Sequence, residues 1–214
     1  MKHIITLETW NRQEHFNFFS QFDEPFWGVT VNVDVKVVYD FAKKNKINFY
    51  ASYLYLILRS VNKIEALKIR YNDKEIYYYE IISVSPTVLR DDGSFGFSYV
   101  DFNESYHQFS HSLQDQIEKV RTSKGLNLGE YRDDVIHFSA LPWLNFTALS
   151  HARSFKNIDC CPKISVGQLQ KKKRKYILPI SIHVNHALVD GYHINLFFKA
   201  LEDAISDHSH LLST

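Results

Sequence analysis

Residues 180–198 read ISIHVNHALVDGYHINLFF and place His183, His186, Asp190 and His193 within eleven positions. Such a cluster admits four chemistries. Metal binding needs ligands that converge, yet strand alternation sends His183 and His186 to opposite faces, and His193 belongs to the next element. A nucleophilic triad needs an activated serine or cysteine, and no G-x-S-x-G motif occurs in the chain. Two readings remain. His186 is either a structural histidine satisfied by its neighbours or a general base. Imidazole titrates near neutrality, so it can take the proton of a hydroxyl as that oxygen attacks an electrophile. Spacing alone does not choose between these two.

Holding such a residue at a cleft edge takes a strand, a turn and a helix. ILPISIHVNH supplies the strand, with Ile180, Ile182, Val184 and His186 on one face and Ser181, His183 and Asn185 on the other. Gly191 marks the turn, and Asp190 is the natural N-cap of a helix. That helix shows Ile194, Phe197, Phe198, Leu201, Ala204 and Ile205 at helical spacing. Upstream, Thr9 reads as the cap of a first helix, VTVNV as a half-buried strand, and Asp34 as the cap of a short second helix. FYASYLYLILRSVNKI is apolar on most sides and reads as a buried helix. EIYYYEIISV and FGFSYVDF have strand composition, and Phe109, Leu113 and Ile117 fall on one helical face. Most of 134–186 reads as strands broken by turns.

Strands and helices mix without a strict βαβ rhythm. The expected fold is therefore α/β, a two-layer sandwich with a mixed β-sheet and helices packed on one face. With 214 residues and no linker-like stretch, residues 1–214 are expected to form one domain. A net charge of +1 gives no field for nucleic acid, and KKKRK at 171–175 reads as a solvated hairpin turn. The start of the chain has no apolar run of signal-peptide length, and no stretch approaches a membrane span. Cys160 and Cys161 are adjacent and are the only cysteines, which rules out a disulfide framework. A cytoplasmic protein without membrane attachment is the expectation.

His186–Gly191 forms an H-x-x-x-D-G motif, which several CoA-dependent acyltransferase families share. The chain also resembles the chloramphenicol acetyltransferases at widely separated places. WNRQEHFNFF (10–19) is similar to their first-helix signature. KKNKINFYASYLYLI (43–57) is similar to a second segment, with Ala51 where they carry proline. SALPWLNF (139–146) and VNHALVDGYHI (184–194) match two more, in the same order and over essentially the whole chain.

The resemblance implies a homotrimer with an active site at each subunit interface, acetyl-CoA as co-substrate, no bound cofactor and no metal. It implies direct transfer of acetyl to the 3-hydroxyl of chloramphenicol, with antibiotic resistance as the outcome. His186 would be the general base, Ser139 the donor to the tetrahedral oxyanion, and Ser165 a hydroxyl reaching it through water. Asp190 would pair with Arg12 to hold the histidine loop, not act in a triad. Phe19, Pro25, Trp27, Phe95 and His151 align with acceptor-pocket positions, and Trp143 with the pantetheine tunnel. Pro25 stands where relatives often have cysteine, His151 where they have leucine, and Asn185 where they have histidine. Asn48 and Gln168 stand where relatives have lysines that meet CoA. These departures leave room for a different hydroxylated acceptor handled by the same mechanism. Lipoyl and linker regions, which mark the 2-oxoacid dehydrogenase acyltransferases, are not in the sequence.

Overall fold

The computed structural model describes residues 1–126, 129–154, 156 and 158–212. In chain order the strands are β1 (Lys2–Ile5), β2 (Phe26–Asp34), β3 (Ile69–Tyr71), β4 (Ile76–Tyr79), β5 (Ser83–Leu89), β6 (Phe95–Phe97), β7 (Val135–Ala140), β8 (Lys163–Val166), β9 (Gln170–Lys172) and β10 (Lys175–Asn185). The helices are α1 (Gln13–Phe19), α2 (Lys36–Asn45), α3 (Phe49–Asn62), α4 (Tyr106–Thr122) and α5 (Gly191–Ser206). The larger sheet runs β2-β10-β8-β7-β5-β6, with β9 folded back on β10. β7 pairs in parallel with both β5 and β8, and the remaining pairs are antiparallel, so the sheet is mixed as expected. A small antiparallel sheet, β1-β4-β3, stands beside it.

Period-two alternation gives the large sheet two different faces. One row across it reads Val29, Ile182, Ile164, Phe138 and Pro86, and the next Val31, Ile180, Val166 and Ala140. These side chains meet the apolar faces of α2, α3 and α5 in one continuous core. α3 is buried nearly all round, with Leu54, Tyr55, Leu56, Ile57 and Leu58 all sealed from solvent. The opposite face carries Thr30, Ser181, Ser165 and Ser139 in register, and beside them Gly28, His183, Lys163, His137 and Ser85. Helices therefore cover the hydrocarbon face, and polar and titratable side chains line the other.

The connection from β7 to β8 crosses part of that polar face. His151 packs edge-on against His183, and the Arg153 guanidinium lies over the Phe26 ring. Gly28 permits this packing, because a Cβ there would lie 2.4 Å from the His183 ring. Arg70, fully buried, ties the small sheet to the large one by donating to the carbonyls of Leu67, Ile69, Asp133 and Val135.

Three local expectations need correction. Thr9 does not cap α1; its hydroxyl bonds back to the Thr6 carbonyl at 3.2 Å and closes a short 3-10 turn. That local bond competes with capping, and Arg12 takes the N-cap position instead. Val35, not Asp34, is the N-cap of α2, although Asp34 still accepts the Lys36 N–H at 3.1 Å. β10 ends at Asn185, so His186 opens the turn and does not close the strand. KKKRK does form the β9–β10 turn, with Lys173 in the left-handed region at φ 54°.

Candidate active site

Asn185 shapes the turn that presents His186. It is buried, donates to the Tyr71 hydroxyl at 3.1 Å and the Asp159 carbonyl at 3.2 Å, and accepts the Ala187 N–H at 3.0 Å. The His186 N–H donates to the Pro25 carbonyl at 2.8 Å, which binds the turn to the start of β2. Its ring stacks on Phe19, 4.0 Å between centroids and 5° from parallel, with Trp27 tilted alongside at 5.3 Å. Trp27 is pinned in turn, its indole N–H donating to the Val189 carbonyl at 3.1 Å. Nδ1 of His186 is buried and meets no hydrogen-bond partner among the described residues.

Beneath the turn, Asp190 accepts from Arg12 Nη1 at 2.7 Å and from the Tyr192 and His193 N–H groups at 3.0 and 3.4 Å. His193 closes the capping box by accepting the Asp190 N–H at 3.2 Å. Burial works to raise the Asp190 carboxyl, but the Arg12 bond and nearby charge outweigh it and hold the group below its usual range. One carboxylate thus joins α1, the turn and α5. His193 is pushed down mainly by burial and serves the cap.

Ser139 lies elsewhere, next to the end of β7, with the Thr87 hydroxyl 3.4 Å from its own. Ser165 is its register partner on β8, 1% exposed, with a buried hydroxyl that meets no partner among the described residues. His151 lines a cavity of about 240 Å3 together with Ser139 and Thr87. A second cavity, about 450 Å3, also reaches Thr87 and is lined by Trp143, Asn48 and Ala140. Asn48 is occupied there as the N-cap of α3, accepting the Ala51 N–H at 3.1 Å. Pro25 borders a third cavity, about 570 Å3, with Tyr71, Asp159 and Asn185. Phe95 is 46% exposed on the edge strand β6, where it packs against Phe97.

The site residues therefore fall into two groups. His186, Phe19, Trp27 and Pro25 gather at one end of the sheet, over the Arg12–Asp190 pair. Ser139, Ser165 and His151 gather on its polar face, and Trp143 lines the adjoining cavity. Ser139, Ser165 and Ser181 lie side by side on β7, β8 and β10. His186 is five residues beyond Ser181, about 17 Å along the strand, and two strand spacings add about 10 Å across. On a fully extended path the His186 and Ser139 backbones of one chain would lie up to about 20 Å apart.

Residues 2–202 match the model of the chloramphenicol acetyltransferase family. The chain belongs to that family. A chloramphenicol acetyltransferase of Bacillus pumilus is 28% identical over 196 residues, covering 91% of this chain and 89% of the relative. A solved chloramphenicol acetyltransferase superposes with a TM-score of 0.88 at 26% identity, covering 96% of this chain and all of that one. The cubic core of a pyruvate dehydrogenase complex shares the fold at a TM-score of 0.65 and 15% identity, covering 88% and 84%.

Most residues of the Ser139 cavity escaped the sequence reading, among them Thr87, His137 and Lys163. His137 was within reach, because it precedes Ser139 by two residues on one strand face. Thr87 and Lys163 arrive by strand pairing, which no local pattern encodes. Among the described residues no cluster of His, Cys, Asp or Glu could hold a metal ion, and no helix is long and apolar enough to cross a membrane.

Proposed function

We propose that the chain, acting as one acyltransferase domain, moves acetyl from acetyl-CoA to the 3-hydroxyl of chloramphenicol and so confers resistance in the cytoplasm. The observation that carries the reading is His186, an imidazole clamped between Phe19 and Trp27 at an open edge of the fold. With Nδ1 buried, Nε2 is the nitrogen left to meet an acceptor. It takes the hydroxyl proton as that oxygen attacks the thioester carbon. Ser139 donates to the oxyanion that forms, Ser165 supports it through water, and collapse expels the CoA thiolate, which recovers the proton from the imidazolium.

The separation of His186 from Ser139 supports a site built between subunits, His186 from one and Ser139 from the next. Such a contact is heterologous and closes as a ring, here a homotrimer. Phe19, Trp27 and Pro25 would line the acceptor side of the histidine, with Phe95 and His151 on the facing subunit. The pantetheine arm would pass Trp143. Arg12 and Asp190 act through the turn they hold.

Release of free CoA thiol from acetyl-CoA and chloramphenicol tests this directly. His186→Ala should lower kcat about 10²- to 10⁴-fold, the range for a lost general base. Unchanged turnover in that variant would remove His186 from the mechanism.

A further inference from the structure

The cavity beside Ser139 is lined by imidazoles. His137 shares the strand face of Ser139, and the β7–β8 connection brings His151 to the same space of about 240 Å3. Lys163 stands in register with His137 and lines the cavity too. Its ammonium is already matched by Asp159 at 2.7 Å, so the cavity carries no unpaired charge from that source. Nε2 of His151 is buried and meets no hydrogen-bond partner among the described residues. A buried nitrogen left unmet is costly until some group meets it.

We propose that His137 and His151 are specificity-determining residues that read a neutral hydrogen-bonding group on the acceptor. This rests on Ser139 being the oxyanion donor, which places the acceptor next to this cavity. Burial, helped by the Lys163 charge and by the His183 ring near His151, pushes both imidazoles down to about 4. Both are therefore uncharged at neutral pH. A neutral imidazole donates from one nitrogen and accepts at the other, so it can meet a hydroxyl, a carbonyl, a nitro or a sulfone oxygen. A carboxylate fits less well, because the one fixed cation is already paired. An acceptor ending in bare hydrocarbon would leave His151 Nε2 unmet, and sites built to hydrogen-bond discriminate against such analogues.

The test uses three acceptors that share the primary hydroxyl of chloramphenicol and differ at the ring para position: nitro, methylsulfonyl or hydrogen. In the wild-type protein kcat/KM for the two polar acceptors should exceed that for the bare ring about tenfold or more, carried mainly by KM. In His151→Leu and in His137→Phe that ratio should fall to within about twofold of unity. Thermal melts check that each variant folds; if one does not, the other decides. A wild-type ratio near one, or a ratio that both folded variants keep, would overturn the proposal. Absence of thiol release from all three acceptors would instead overturn the acetyl-transfer reading, and this inference with it.

Discussion

Two dead variants should make a live enzyme. In the proposed mechanism His186→Ala removes the base and Ser139→Ala removes the oxyanion donor, and each alone should be nearly inactive. Base and oxyanion donor must each lie about 3 Å from the groups they serve, whereas strand geometry puts their backbones in one chain up to about 20 Å apart. In the site proposed above, the working pair therefore comes from two copies. In a ring where each site takes His186 from one subunit and Ser139 from the next, an equal random mixture gives intact sites at about one interface in four. Co-expression of the two variants with different tags, followed by sequential purification on both, isolates mixed assemblies. Thiol release from these should return to about a quarter of the wild-type rate or somewhat more, since tandem purification enriches mixed rings. Unmixed variants should stay at background. Mixed assemblies with no activity would refute the shared site and with it the division of the sheet into two half-sites.

Three further outcomes follow from the same geometry. Asp190→Ala loses the Arg12 bond and the cap of α5; a charged hydrogen bond of about 2 kcal/mol and a cap of about 1 kcal/mol make about 3 kcal/mol in urea unfolding. Asp190→Asn keeps an oxygen for both and should lose about half as much. Burial pushes His137 down to about 4 in the fold from 6.5 in the unfolded chain, so the unfolded state takes up its proton first as pH falls. Its contribution is whole above about 6.5, declines down to about 4, and amounts to about 3 kcal/mol; urea melts at pH 7 and 4.5 should show the loss, and His137→Phe should reduce it to the part His151 contributes. Burial pushes the Cys160 thiol up to about 12 and raises Cys161 as well, so a thiol reagent should label neither in the folded protein and both in urea.

The strand, turn and helix around His186 were legible because each rests on a local pattern: alternation to Asn185, an acidic cap, and apolar residues at helical spacing. The mixed sheet with helices on one face was legible for the same reason. What stayed hidden depends on pairing. Lys163 faces His137 only because β8 lies beside β7 in a given register, and a shift of one residue would turn that side chain into the core. Asn185 showed no role by type, since its three bonds run to residues between 2 and 114 positions away. Thr9 misled because a threonine oxygen serves a backward turn as readily as a forward cap. Phe95 was singled out by alignment of an aromatic, yet it sits half-exposed on an edge strand.

The flat stack of Phe19 on His186 also gives the site a voice in solution. A proton held over the face of an aromatic ring is shielded by the ring current, so the carbon-bound protons of this imidazole should resonate upfield of those of the other ten histidines. That displaced signal reports on one side chain without a label or a turnover assay. Its shift with pH would give the protonation of this imidazole, and its movement on adding acceptor would record the moment the ring is met.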